Sequence, residues 1–263
     1  GRDRMKYVIG DVHGNSKRFR NMLYKIGDDC DELYLLGDVI DRGDHGIDIL
    51  RWAMKNPDVH MLLGNHEYMM LDALGFPYED ENSLISLGQK RRFEKGKENE
   101  ADHLADESSR ERDYALDLWY YNGGEVTHNN FRKLSYGEQT EMIHYLLTLP
   151  TNREIVLSDG RKIQLCHANI PEVYRTVRSR DSETFFCVWD RENQNKLHEF
   201  DDRTIIYGHT PTMLLPEGSK FNPAQVINRG SAIDLDCGAA YKLPMCRLAA
   251  VRLEDMKIIY SDI

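Results

Sequence analysis

Basic charge is in short supply in this 263-residue chain: 34 Lys and Arg face 44 Asp and Glu, a formal net charge of −10. General nucleic-acid or anionic-membrane binding needs positive patches, so neither is expected. An anionic substrate in a locally positive pocket stays open. Long apolar runs are missing as well: none approaches the ~18 residues that would cross a bilayer. Gly1 to Met5 carry no apolar signal-peptide core, and Gly1 to Arg4 read as an added or trimmed start ahead of a native Met5. Cysteines number five, an odd count, with no C-x-x-C pair, so disulfide and zinc-finger frameworks are both weak readings. Three of Cys30, Cys166, Cys187, Cys237 and Cys246 lie in or beside apolar runs, as reduced buried thiols do, which points to a cytoplasm. No repeat or linker is visible. With 41% hydrophobic and 30% charged residues the composition is globular, and one domain over residues 1–263, acting as a monomer, is expected.

What is present has a clear rhythm. Tyr7-Val8-Ile9 reads as a buried strand; Phe19, Met22, Leu23 and Ile26 then recur at helical spacing until Gly27. Leu33 to Leu36 is a second strand, a helix with Ile47, Leu50 and Met54 follows, Val59 to Leu63 is a third strand, and Tyr68 to Leu74 starts another helix. Strands alternating with helices at this spacing predict an α/β fold with parallel pairing at its heart. The second half is richer in strands. Ile155 to Leu157 and Ile163 to Cys166 flank the turn-like Ser158 to Arg161; Thr204 to Tyr207, Arg247 to Arg252 and Lys257 to Tyr260 are further strands; Met142, Leu146 and Leu149 mark a helix ending at Pro150.

Between the halves, 15 of the 25 residues from Gln89 to Asp113 are charged, 8 acidic and 7 basic, too polar for a core. This insertion, about 79–113, predicts a solvated helix or mobile loop, with a lid or docking element as the sharper alternative.

The strongest signal is a repeated arrangement. Five apolar runs end in an Asp, Asn or His: Tyr7 to Gly10 before Asp11 and His13, Leu33 to Gly37 before Asp38, Met61 to Gly64 before Asn65 and His66, Ile163 to Cys166 before His167, Ile205 to Gly208 before His209. In open α/β sheets the carboxyl ends of strands are where sites are built. Asp11 and His13 are two residues apart, so on a continuing strand they would point the same way. Carboxylate, imidazole and amide oxygen together suit Mn, Fe or Zn better than Ca. Glycine before four of the five ligands leaves room for a close approach to the backbone. His45, His60, His103, His128, His144 and His198 lack this context and are expected to be surface or core residues.

These blocks resemble a known family. Gly10-Asp11-Val12-His13-Gly14, Gly37-Asp38-Val39-Ile40-Asp41-Arg42-Gly43 and Gly64-Asn65-His66-Glu67 are similar to the signature blocks of the PPP-type metallophosphatases of the calcineurin-like superfamily, with 27 residues from Asp11 to Asp38 and again to Asn65. Cys166-His167-Ala168 and Gly208-His209-Thr210-Pro211 resemble the later histidine motifs. Val188 to Glu192, Asn122-Gly123-Gly124 and Asp236-Cys237-Gly238 resemble the compact bacterial and phage-type protein phosphatases, from which the segment Glu79 to Asp113 departs.

The resemblance implies a two-sheet mixed β sandwich flanked by helices, with the metal site at the carboxyl ends of its central strands. It implies two divalent ions, Mn expected and Fe or Zn as alternatives. Asp11, His13 and Asp38 would hold one, and Asp38, Asn65, His167 and His209 the other. The ions would lower the pKa of a shared water, so that hydroxide attacks phosphorus directly and no phospho-enzyme forms. His66 would be the general acid, oriented by Asp41, and Arg42 and Arg191, with Asn65, would bind the phosphoryl group. Arg191 alone would read as part of a surface ion pair; its place after Val188-Trp189 argues otherwise.

The expected activity is a phosphomonoesterase acting on phosphoserine and phosphothreonine in proteins. The alternative is a hydrolase of diadenosine tetraphosphate or another small phosphoester; a remote one is an inactive binding module. Asp41 favours the first, because an alkoxide leaving group needs an acid and a nucleotide leaving group does not. Nucleotide-cleaving relatives usually lack that Asp and read Asn-His-Asp where this chain has Asn65-His66-Glu67.

Overall fold

Period-two alternation in Tyr7-Val8-Ile9 decides what each face of the first sheet meets. Val8 faces inward with Tyr34, Leu36 and Val251, against Ile163, Leu165 and Ile206 of a second sheet, whereas Tyr7 and Ile9 face outward onto helices. The computed structural model describes residues 5–78 and 105–263. Their elements run β1 (Met5–Ile9), α1 (Ser16–Ile26), β2 (Cys30–Leu35), α2 (Gly46–Lys55), β3 (Val59–Met61), α3 (Asn65–Ala73), α4 (Ala105–Tyr121), α5 (Glu125–Arg132) and α6 (Tyr136–Thr148). There follow β4 (Asn152–Val156), β5 (Lys162–Cys166), α7 (Pro171–Tyr174), α8 (Glu183–Trp189), β6 (Thr204–Tyr207), β7 (Ile227–Asn228), β8 (Ala232–Asp234), β9 (Ala249–Arg252) and β10 (Lys257–Tyr260).

Ten strands form two five-stranded sheets among the described residues, ordered β10-β9-β1-β2-β3 and β4-β5-β6-β8-β7. In the first sheet β1, β2 and β3 pair in parallel and β9 and β10 join antiparallel; in the second β5, β6 and β8 pair in parallel and the edge strands β4 and β7 are antiparallel. The fold is the expected sandwich of two mixed sheets flanked by helices. Phe19 and Met22 of α1, Leu50 of α2 and Leu146 of α6 cover one outer face; Val173 of α7 and Phe186 of α8 cover the other with Ile205 and Tyr207. Full burial of one such aliphatic or aromatic side chain is worth ~1.5–3 kcal/mol.

Local signals fix the helix ends. Asn15 accepts from the Arg18 N–H at the start of α1, which stops at Gly27, where φ is 68°. Ser135 and Glu138 form a reciprocal capping box at the start of α6.

The third strand stops at Met61 rather than Leu63, and α3 begins at Asn65 rather than Tyr68. The cause is a change of partner: Leu62 N–H still reaches Leu35 O at 2.9 Å, but Leu63 N–H goes to Pro150 O, and the Asp38 carboxylate accepts from His66 N–H in the first turn of α3. Residues 105–113 of the charged insertion form the first half of α4. Its remainder, 79–104 with His103, lies outside the described residues.

Candidate metal centre

The ligand candidates do not sit on strands. β1 ends at Ile9, and Asp11 and His13 follow in a turn in which His13 has a φ of 49°. Their common direction therefore comes from a left-handed turn and not from strand periodicity. That turn is laced to the next one: Val12 and His13 N–H both donate to Asp38 O, and Gly14 N–H to Val39 O. Among the described residues, six non-glycine positions have positive φ, and five of them (His13, Asp38, Asp41, Arg42 and His209) are candidate site residues. Such backbone costs ~1–3 kcal/mol per residue and persists where the surroundings impose it.

The six candidate ligands converge at the seam of the sandwich, each at most 4% exposed. Asp38 is central: its Oδ2 lies 3.5 Å from His13 Nε2 and 3.3 Å from His167 Nε2. Asn65 Oδ1 lies 2.9 Å from His167 Nε2 and 3.0 Å from His209 Nδ1, and His209 N–H donates to the Asp11 carboxylate at 3.3 Å. Every imidazole has its outer nitrogen engaged by backbone: His13 Nδ1–H donates to Ile40 O, His167 Nδ1–H to Leu36 O and His209 Nε2–H to Trp189 O, at 2.9–3.0 Å. The inner nitrogen of each ring is thereby turned toward the cluster, the arrangement that orients histidine ligands.

Two glycines make the approach possible. A Cβ on Gly64 would stand 2.2 Å from Asp38 Oδ1, and one on Gly208 2.2 Å from Asp11 Oδ1. The space that glycine leaves is thus filled by a neighbouring ligand carboxylate.

Electrostatics supply the test of whether a cation fits. Burial pushes Asp11 well above the usual carboxylate range, with Asp236 adding to the effect, and raises Glu67 to about 7 and Asp236 to about 6. His13 falls to about 3 through burial and the nearby His66, and His209 falls too, so both rings present neutral lone pairs, as metal ligands must. His167 goes the other way. Burial alone would lower it, but Asp38 and Asp11 raise it to about 9. Without a metal the cluster retains a proton among its acids, where a cation would otherwise balance them. The mixed N/O donor set, its orientation and acids that hold on to protons when no cation balances them fit divalent cations.

Three of the remaining candidates, Arg42, His66 and Arg191, line the same opening as His13, Asp38 and Asn65, and Asp41 lies buried behind His66. His66 Nδ1 lies 2.6 Å from Asp41 Oδ2. Burial would lower His66, but Asp38 and Asp41 outweigh it and the ring is raised. Arg42 stacks 5.5 Å over Tyr241, and Arg191 Nε lies 3.2 Å from His209 Nε2. A larger cavity of about 420 Å³, between Lys17, Arg18, Asn21 and Lys242, contains no site candidate.

Sequence reasoning missed four contributors. Glu67 accepts N–H bonds from Asp38 (2.9 Å) and Val39 (2.7 Å), holding the left-handed Asp38 in place. Asp236 and Tyr241 line the opening, and Trp119 donates to Asp41 at 2.9 Å. Glu67 lies within Gly64-Asn65-His66-Glu67 and Asp236 opens Asp236-Cys237-Gly238, so both motifs carried a signal for them, whereas Trp119 and Tyr241 have none of their own.

A family model described as calcineurin-like phosphoesterase matches residues 7–213. Among curated proteins, the symmetrical bis(5'-nucleosyl)-tetraphosphatase of Serratia proteamaculans is 40% identical over 68 residues, 25% of this chain and 24% of that protein. The same-named protein of Haemophilus ducreyi is 39% identical over 72 residues, 26% of each. The chain thus spans about a quarter of the length of these relatives. Among solved structures, a protein serine/threonine phosphatase from Saccharomyces cerevisiae with similarity to human phosphatase PP5 aligns with a TM-score of 0.55 at 13% identity, covering 100% of this chain and 81% of that one. At that identity the likeness concerns the fold alone.

Proposed function

This chain belongs to the calcineurin-like phosphoesterase family, and from that premise we propose that it is a phosphomonoesterase acting on phosphoserine and phosphothreonine in proteins. The observation that carries the reading is the 2.6 Å contact between His66 and the fully buried Asp41. A serine or threonine alkoxide is a poor leaving group and needs a proton in the transition state. An ADP leaving group does not, and a nucleotide hydrolase would gain little from this dyad.

Asp11, His13 and Asp38 would hold one divalent cation, and Asp38, Asn65, His167 and His209 the second, Asp38 being shared. Mn is the expected metal, with Fe or Zn as alternatives. Bound there, two such ions supply Lewis acidity toward phosphoryl oxygens and make water acidic enough to ionise at neutral pH. The protein does the rest. Arg42, pre-set by the Tyr241 ring and by its N–H bond to Gly123 O, and Arg191, packed on His209, hold phosphoryl oxygens with their planar donor forks. Asn65, in the first turn of α3, presents its amide to the same opening. His66 delivers the proton to the leaving oxygen. Asp41 fixes the ring so that Nε2 faces the opening.

The second reading, hydrolysis of a dinucleoside tetraphosphate, draws on the names of the relatives that match a quarter of the chain. Incubating the Mn-loaded chain with a phosphoserine peptide and with diadenosine tetraphosphate, side by side, separates the two. Phosphate release from the peptide at the higher kcat/KM is expected. Faster conversion of the dinucleotide to ADP would overturn the proposal.

A further inference from the structure

We propose that Trp119 is a positioning residue for proton delivery: its indole N–H clamps the Asp41 oxygen that orients His66. The inference rests on the reading of His66 as the acid. Asp41 is fully buried and comes from a left-handed turn (φ 72°), so neither solvent nor regular backbone holds its carboxylate. One oxygen, Oδ1, has no hydrogen-bond partner. The other, Oδ2, receives two donors, His66 Nδ1 at 2.6 Å and Trp119 Nε1 at 2.9 Å. Its backbone N–H donates to Thr127 Oγ1 at 2.9 Å. Besides His66 itself, the two side chains that fix the aspartate come from α4 and α5, which carry no ligand candidate.

Trp119 is suited to the task. Indole N–H is a donor with no acceptor capacity, so once buried it must find an acceptor, and here it finds the Asp41 carboxylate. The ring cannot swing away: it is 0% exposed, lies 5.3 Å from the His128 ring, and its face is so close to Gly124 that a Cβ there would stand 2.3 Å from it. Gly124 N–H donates to Trp119 O at 2.9 Å, and Gly123 O receives Arg42 N–H at 2.9 Å. The Asn122-Gly123-Gly124 turn therefore ties the tryptophan, the aspartate and a phosphate-binding arginine into one unit. With two donors on one oxygen the carboxylate plane is set. With His66 alone it could rotate about its Cβ–Cγ bond and take the imidazole with it.

Filling the core would also explain a buried tryptophan, so the test needs a readout that packing does not move. Trp119→Phe keeps an aromatic plate and removes the donor; 3-benzothienylalanine at position 119 keeps the bicyclic shape with sulfur in place of N–H, and carries the test if the Phe variant folds poorly. Each is measured as Mn-loaded full chain, beside His66→Asn, on a phosphoserine peptide and on p-nitrophenyl phosphate, with melting temperature recorded. The expected result is a kcat loss on the peptide of roughly 10-fold or more, below the ~10²–10⁴ of losing the acid itself, a smaller loss on the aryl ester, and little change in KM. Equal losses on both substrates, or none with the benzothienyl residue, overturn the assignment of Trp119 while a selective His66→Asn keeps the acid reading intact. If His66→Asn itself shows no selectivity, both fall.

Discussion

Stripping the metals should leave a protein whose stability falls as the solution becomes more alkaline between pH 6.5 and 9. His167 is the reason: its pKa is raised from 6.5 to about 9 because Asp38 and Asp11 outweigh the burial that would lower it. A histidine raised on folding contributes stability that is complete below its unfolded pKa and is lost as pH passes the folded one. In that window the native chain binds more protons than the unfolded chain, so unfolding free energy has a negative slope against pH. Glu67, raised to about 7, acts in the same direction at the lower edge, and His66 is raised as well. His13 and His209, which are lowered, oppose the trend only near pH 6.5, where the unfolded rings still hold part of a proton, and there His167, Glu67 and His66 together outweigh them. At 1.36 kcal/mol per pKa unit, the His167 shift alone amounts to about 3 kcal/mol, or roughly 5–10 °C in Tm for a chain of this size. The assay is a series of thermal melts of chelator-treated protein at pH 6.5, 7.5, 8.5 and 9, repeated with excess Mn. Metal binding requires these protons to leave, so the gap between loaded and stripped protein should widen with pH. A stripped protein whose Tm is flat or rises across the window would refute the reasoning, because His167 would then hold no excess proton.

Two further outcomes follow from the same geometry. Asp38→Asn removes the charge that faces His13, His66 and His167 together; metal affinity should drop by more than the ~100-fold upper range of outer-shell losses, read by calorimetric titration, and tight binding of two ions in this variant would contradict the shared role of Asp38. Gly208→Ala would place a Cβ 2.2 Å from Asp11 Oδ1; a destabilisation of ~1–3 kcal/mol, typical of overpacking, should accompany weakened metal binding, and an unchanged urea midpoint would show that Asp11 moves aside freely.

Much of the candidate centre was legible because its candidate ligands follow apolar runs directly, and an apolar run that ends in a polar Asp, Asn or His has few other uses in a sandwich core. The direction of Asp11 and His13 was reached through the wrong cause: β1 stops at Ile9, and a turn with left-handed His13 does what strand alternation was expected to do. β7 and β8, of 2 and 3 residues, are too short for any periodicity to register. For the charged first half of α4 a solvated helix is one of two readings, and its second half, in which Leu116, Trp119 and Tyr120 pack on the core, has no reading of its own. Trp119 and Thr127 were illegible for a different reason. Their contacts with Asp41 span 78 and 86 residues, and nothing local distinguishes a tryptophan that clamps a carboxylate from one that fills space.

The two sheets explain why the ligand set had to be assembled over such distances. Asp11, His13, Asp38 and Asn65 follow strands of the first sheet, and His167 and His209 follow β5 and β6 of the second. Beneath them the sheets meet through aliphatic side chains such as Val8, Leu165 and Ile206, which are non-directional and would tolerate some sliding. At the seam itself the contacts are directional: His167 Nδ1–H to Leu36 O, His209 N–H to Asp11, and both second-sheet imidazoles against Asn65 Oδ1. The register between the sheets is therefore fixed most sharply by the residues that would hold the metals. Cations bound there would draw donors from both sheets to common points, and the acids whose burial is unfavourable in the stripped protein would become the reason the loaded sandwich holds its register. On this account the pH dependence of the stripped chain and the geometry of the centre have one origin, a ligand set built around positive charge that the polypeptide does not itself carry.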